Sequence, residues 1–219
     1  ISALELEGEI VTTPFTFAAT INSIILKGCK PIFCDIDPKS FNIAPEKIEE
    51  LITDNTSAIM PVHVFGNPCK IEKIQKIANN YNLKVIYDAA HCTGVKYRNQ
   101  TIGSFGNISM FSFHATKIFN TIEGRALTYQ EETLKIKIYL LKNFGIANEN
   151  EIILPGTNGK MNEFQAAMGL LNLELVENEI VKRKERFLLY KELLSNIEGL
   201  TFMKYQQGTD PNYQYFPII

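Results

Sequence analysis

Short apolar runs alternate with stretches of helical spacing along the first part of the chain, and that alternation restricts the fold more than any other feature. Glu9–Thr13, Pro31–Asp35, Ser57–Val64, Lys84–Asp88, Ile108–Phe113 and Gly124–Tyr129 read as strands. Phe15–Leu26, Pro45–Ile52 and Ile71–Tyr81 lie between them and read as helices. Pro45 suits a first helical turn, where its missing N–H leaves nothing unsatisfied. The strands are nearly continuous in Val, Ile, Phe and Met, as expected when both faces of a sheet are covered. Such strands in alternation with helices imply an α/β fold around a mainly parallel sheet with right-handed crossovers.

Past residue 130 the pattern turns helical, at Glu131–Lys142, Met161–Glu177 and Ile180–Asn196. Met161, Phe164, Met168, Leu171 and Leu175 form one apolar stripe, and Phe187, Tyr190, Leu194 and Ile197 form another. Both read as core or as a subunit interface. The polar stretch Gly145–Gly159 reads as a long loop, a type that is usually functional or disordered.

With 219 residues and 45% hydrophobic side chains, the chain can bury a continuous core. Its net charge of −2 offers no basic block for nucleic acid or an anionic membrane. Lys182-Arg183-Lys184 is flanked by Glu179 and Glu185 and reads as a solvated face. Cys29, Cys34, Cys69 and Cys92 show neither CxxC pairs nor metal spacing, so they read as reduced, buried thiols. No run reaches the ~20 apolar residues of a membrane helix, and no leader pattern opens the chain. The expected location is the cytoplasm. Ile1–Leu6 reads as a helix entered midway, and the chain stops on "NYQYFPII", so a piece of a longer protein is expected.

In open α/β sheets, ligands sit beyond the carboxyl ends of the strands. Three strand ends here carry polar groups. "KVIYDAAH" ends in Asp88, with His91 three residues on. A carboxylate there either caps the next segment or holds a cationic ligand group. "FSFHATK" brings Ser112, Thr116 and Lys117 past a strand end, where hydroxyls and turn N–H groups can cradle an anion. Lys117 reads either as a solvated lysine or as a desolvated amine able to form a Schiff base with a carbonyl. "IVTTPFTFAAT" places Phe15 and Phe17 in a first helical turn, either packed in the core or covering a planar ligand. A Schiff-base lysine, a carboxylate for a protonated ring nitrogen, hydroxyls for a phosphate and an aromatic cover are together the needs of pyridoxal phosphate.

The segments "TPFTFAAT", "PIFCDIDPKSFNI", "PVHVFGNPC", "VIYDAAH", "FSFHATK", "TIEGRA", "KNFGI" and "GTNGKMNEFQAAMGL" occur in this order. Together they resemble the sugar aminotransferases of the DegT/DnrJ/EryC1/StrS family over nearly the whole chain. The resemblance implies the fold type I arrangement of pyridoxal phosphate enzymes: a three-layer large domain on a mainly parallel, seven-stranded-type sheet. Residues 1–198 would be that domain, lacking its N-terminal part, and 199–219 the start of a small C-terminal domain. By motif, Lys117 resembles the Schiff-base lysine and proton shuttle, and Asp88 the partner of the pyridinium nitrogen, with His91 beside the ring. Ser112 resembles the phosphate-binding serine and Phe17 the ring-stacking aromatic. Asn158 resembles an asparagine that reaches the cofactor of a neighbouring subunit, which implies a homodimer with shared sites.

The implied reaction is a ping-pong transfer of an amino group from L-glutamate to a keto-sugar nucleotide, with pyridoxamine phosphate as the intermediate cofactor form. "SFHATK" is closest in wording to members that aminate C4 of a dTDP-linked 4-keto-6-deoxy hexose. A 3-keto sugar, a GDP- or UDP-linked sugar and a catalytically inactive member acting as a binding partner remain alternatives. Lys117 argues against the dehydratases, which carry His there, and no GxGxxG follows the first strand to suggest a nicotinamide site. One departure is Arg125 in "EGRA", where the family usually has Gly.

Overall fold

Ile10 and Val11 are neighbours in sequence, yet they enter different cores. The same split separates Ala58 from Ile59 and Val85 from Ile86. Successive side chains of a strand point to opposite faces, so each of these pairs anchors two layers to one sheet. The structure, a computed structural model, describes residues 1–219. Its elements in chain order are β1 (Glu9–Thr12), α1 (Ala18–Leu26), β2 (Lys30–Phe33), β3 (Thr56–Ile59), α2 (Ile71–Asn80), β4 (Lys84–Asp88), β5 (Lys96–Tyr97) and β6 (Gln100–Thr101). Then come β7 (Ile108–Ser112), β8 (Arg125–Tyr129), α3 (Thr133–Lys142), β9 (Ile146–Asn148), β10 (Glu151–Ile152), α4 (Glu163–Leu173), α5 (Val176–Leu194) and β11 (Thr209–Asp210).

The main sheet has six strands in the order β2-β1-β3-β4-β7-β8. All neighbours are parallel except β8, which runs antiparallel to β7. On one face α2 buries Ile71, Ile74, Ile77 and Ala78 against Val11, Ile59, Val85 and Tyr87. On the other, Ile24 of α1 and Leu134 of α3 meet Ile10, Ala58, Ile86 and Ile108. Fully burying such a side chain contributes about 1.5–3 kcal/mol, so the two layers hold the strand ends firmly. The four cysteines are free and buried. No helix is long and apolar enough to cross a membrane.

Several expected elements take another form. Pro45–Ile52 is not a helix but two 3-10 turns, Pro45–Lys47 and Glu49–Leu51, because Ile48 and Ile52 bond three residues back. A segment this short gains too little to nucleate a full helix. Ser2–Leu4 is likewise a single 3-10 turn, ended by Glu5 at φ 53°. Helix α1 starts at Ala18 instead of Phe15: Phe15 N–H donates to Thr13 Oγ1, and Phe17 keeps an extended backbone. The strand expected at Ser57–Val64 is regular only over Thr56–Ile59, after which Val62 adds a single parallel bridge to Asp88. The helix expected over Met161–Glu177 ends at Leu173, and α5 starts four residues before the expected Ile180. Within Gly145–Gly159, β9 and β10 form a hairpin. Hairpin β5–β6 and its partner β11 had no counterpart in the sequence reading. Its turn places Arg98 and Asn99 at φ 49° and 63°, without the Asn-Gly signature of such turns.

Candidate active site

Asp88 ends β4, buried to 8% exposure. Its Oδ2 accepts a hydrogen bond from Thr20 Oγ1 at 2.6 Å, and its Oδ1 accepts from Ala90 N–H at 3.1 Å. Thr20 lies in the first turn of α1, and its hydroxyl is 2.8 Å from that of Thr16. A buried carboxylate needs such partners, because leaving it desolvated and unpaired is costly. Thr16 and Thr20 were missed in the sequence. Thr16 lies just before α1, and the i, i+4 spacing of the two hydroxyls in "PFTFAAT" is a legible signal.

Strand β7 lies beside β4, with Asp88 paired to Met110, so Ser112 stands two residues further along. Ser112 is half-buried, and its Oγ accepts weakly from His114 N–H at 3.4 Å. The turn that follows carries Lys117 back over the sheet, closed by Lys117 N–H on the His114 carbonyl. Lys117 Nζ donates to Tyr215 Oη at 3.4 Å. His91 packs its ring on Tyr215 at 4.7 Å and parallel to Phe65 at 6.3 Å. Burial, and then the Lys117 cation, push the His91 imidazole down to about 4, so it is neutral near pH 7. Asp88, His91, Ser112 and Lys117 thus stand at the carboxyl end of two adjacent strands.

The other expected residues stand apart. Phe17 is 79% exposed and stacks on no aromatic ring, whereas Phe15 stacks on Phe41 at 5.3 Å. Asn158 is exposed and pairs through its backbone with Asn143, with no bond to the cluster. Thr116 turns to the exposed His114, whose other ring nitrogen lies 3.4 Å from Glu123. Arg125 opens the edge strand β8 opposite Ser112 with its side chain exposed, so it disturbs no core packing. A separate polar groove is lined by Asp37, Lys70, Glu72, Arg98 and Lys204. There Lys70 pairs with Asp37 and Arg98 with Glu72, so its charges are largely spent on one another.

A doubly covered parallel sheet with an amine, a carboxylate, a neutral imidazole and a hydroxyl at its carboxyl edge is the architecture of a cofactor-binding α/β enzyme. The donor set fits pyridoxal phosphate: Asp88 retains lone pairs beyond its two bonds, and Lys117 joins no ion pair. The profile of the DegT/DnrJ/EryC1/StrS aminotransferase family matches residues 1–219, and the chain belongs to this family. It is 47% identical over 219 residues to a dTDP-4-amino-4,6-dideoxy-D-glucose transaminase of Shigella dysenteriae, covering all of this chain and 60% of that protein. A transaminase of the same name from Escherichia coli is 43% identical over 222 residues, again covering all of this chain and 59% of the relative. Among solved structures, DesI in the presence of its TDP-sugar product superposes with a TM-score of 0.93 at 35% identity. That match covers 99% of this chain and 55% of DesI. The chain therefore spans less than two thirds of the length of these relatives.

Proposed function

We propose that this chain is the greater part of the large domain of a pyridoxal-phosphate-dependent aminotransferase. The enzyme moves an amino group from L-glutamate to a dTDP-linked 4-keto-6-deoxy sugar in a ping-pong cycle, in the cytoplasm. Residues 199–219 lead into a small C-terminal domain. The observation that carries the reading is the buried Asp88 carboxylate on β4 and the Lys117 amine just past the adjacent β7, free of any acidic partner.

When bound, pyridoxal phosphate supplies a carbonyl that accepts the amino group and a ring that takes up electrons. Asp88 would hold the ring nitrogen and keep it protonated, since a fixed carboxylate favours a neighbouring positive charge. Thr20 and the Ala90 N–H keep that carboxylate oriented. Ser112 would hold the phosphate and His91, neutral, would lie beside the ring without competing for the Asp88 charge. Phe17, open to solvent in this chain, would cover the ring. Lys117 Nζ would bind the carbonyl and move the proton at the substrate carbon, acting as a base once neutral.

Asn158 would serve the site of a second copy, in a homodimer with shared sites. Its outward position, and the exposure of Phe164 (85%) and Leu171 (66%) on α4, support that arrangement. The test is borohydride reduction of the full-length protein after addition of pyridoxal phosphate, followed by peptide mass spectrometry. A reduced cofactor on Lys117 is expected, together with turnover of dTDP-4-keto-6-deoxyglucose and glutamate. A cofactor trapped on another lysine, or on none, overturns the reading.

A further inference from the structure

Tyr215 lies 98 residues from Lys117 in sequence, yet its hydroxyl accepts from Lys117 Nζ at 3.4 Å. Its ring lies 4.7 Å from that of His91 and 5.4 Å from that of Phe65. The segment that carries it is clamped on two sides. Asn212 Nδ2 donates to the His91 and Thr93 carbonyls, both at 2.8 Å. Gln214 Oε1 accepts from Ile118 N–H at 3.2 Å, and its carbonyl accepts from Arg183 Nη1 at 3.4 Å. Asn212 therefore ties the segment to the loop of His91, and Gln214 ties it to the loop of Lys117. Phe65, the third wall, is itself held at φ 53°, a conformation that bulky residues keep only where the surroundings enforce it.

We propose that Tyr215 is a positioning residue for the Lys117 amine and the His91 ring, steering Nζ with its hydroxyl and packing the imidazole with its ring. A free lysine side chain carries much rotamer entropy, and one tether to a fixed phenol removes part of that freedom. The choice of a phenol has a chemical consequence. A carboxylate at that place would hold the ammonium form strongly and blunt the amine as a nucleophile. The neutral hydroxyl orients the amine with a weaker hold on its proton. The importance of that orientation rests on the reading of Lys117 as the reactive amine, but the contact itself is tested separately.

The experiment uses the full-length protein without added cofactor, as wild type, Tyr215→Phe and Tyr215→Leu. Lys117 is methylated with formaldehyde and cyanoborohydride at one fixed pH and quantified by peptide mass spectrometry, with exposed Lys73 as the internal reference. The hydroxyl holds Nζ in one orientation, so its removal frees the amine and raises the ratio of Lys117 to Lys73 methylation about twofold or more. Both variants are expected to show the rise, while the Lys73 rate is unchanged. Phe keeps the ring packing and Leu keeps apolar bulk, so a folded protein is available from at least one of them. An unchanged Lys117-to-Lys73 ratio in a folded variant overturns the proposal. Cofactor trapping on another lysine would instead sink the aminotransferase reading and leave this measurement valid, because formaldehyde reports the free amine.

Discussion

Thr20 on the first helix donates its hydroxyl to Asp88 at the end of the fourth strand, 2.6 Å away and 68 residues on in sequence. The contact joins α1 to the carboxylate that the proposed chemistry depends on. Thr20→Val keeps the shape and removes the donor. Loss of a buried hydrogen bond to a charged group is expected to destabilise the protein by about 1.5–3 kcal/mol. Urea denaturation measures this, and Thr20→Ser should recover most of the loss.

Asp88→Asn keeps the size of the side chain and removes its charge. On the proposed function, glutamate turnover falls about a hundredfold or more, because the electron-accepting ring no longer has its fixed counter-charge. Stopped-flow measurement of the glutamate half-reaction is the check. Turnover within about twofold of wild type would separate Asp88 from the chemistry.

Acid should destabilise the fold through two histidines. Burial holds His63 down to about 3, and burial with the Lys117 charge holds His91 down to about 4, both from an ordinary value of 6.5. The unfolded chain therefore takes up protons first, so stability is full above about pH 6.5 and is lost as pH falls toward 3. His63 alone accounts for about 2–3 kcal/mol between pH 6.5 and 4.5. Its Nδ1 accepts from Cys69 N–H at 2.9 Å while Nε2 has no partner. His63→Asn, with an acceptor retained, should flatten the pH dependence measured by denaturant midpoints.

Two glycines separate backbone strain from crowding. Gly66 sits at φ 79°, and a Cβ there would meet the His91 carbonyl oxygen at 2.9 Å. Gly28 sits at φ 83° with open space around it. Gly28→Ala is expected to cost about 1–2 kcal/mol from the left-handed backbone alone. Gly66→Ala should cost more than Gly28→Ala and also displace His91, visible as a lower Tm and a changed imidazole titration.

Shared sites can be tested by mixing. A Lys117→Ala protein and an Asn158→Ala protein, each impaired alone, should regain activity when refolded together if Asn158 serves the partner's site. Recovery requires that both defects fall in the same site of a mixed dimer, which leaves the other site intact. No gain over the separate proteins would place Asn158 outside a shared site.

The sheet was legible because its strands are apolar throughout, a pattern contained in windows of five or six residues. Helix α2 was readable within one residue for the same reason, with Ile71, Ile74 and Ile77 on one face. Where a contest between short-range and tertiary bonding decided the form, the reading failed. Pro45–Ile52 carries helical residues but is too short to nucleate, and Phe15 was held out of α1 by the Thr13 hydroxyl. The stripe at Met161, Phe164 and Leu171 has the helical spacing expected of it, yet Phe164 and Leu171 stand exposed in this chain. Periodicity identifies an apolar face and cannot name what covers it.

At the candidate site, Asp88, Ser112 and Lys117 could be placed from the sequence because each lies at or just past the end of a recognisable strand. Parallel strands bring such ends to one edge wherever they lie in the chain. Tyr215 carried no such mark. It is an aromatic in an irregular segment, and only the packing of that segment onto the His91 and Lys117 loops brings its hydroxyl to the amine. Local pattern thus determined the layers and which edge carries the candidate site, since it depends on residues a few positions apart. The tertiary structure decided which side chains touch Asp88 and Lys117, since those contacts join segments 68 and 98 residues apart and exist only once the whole chain has packed.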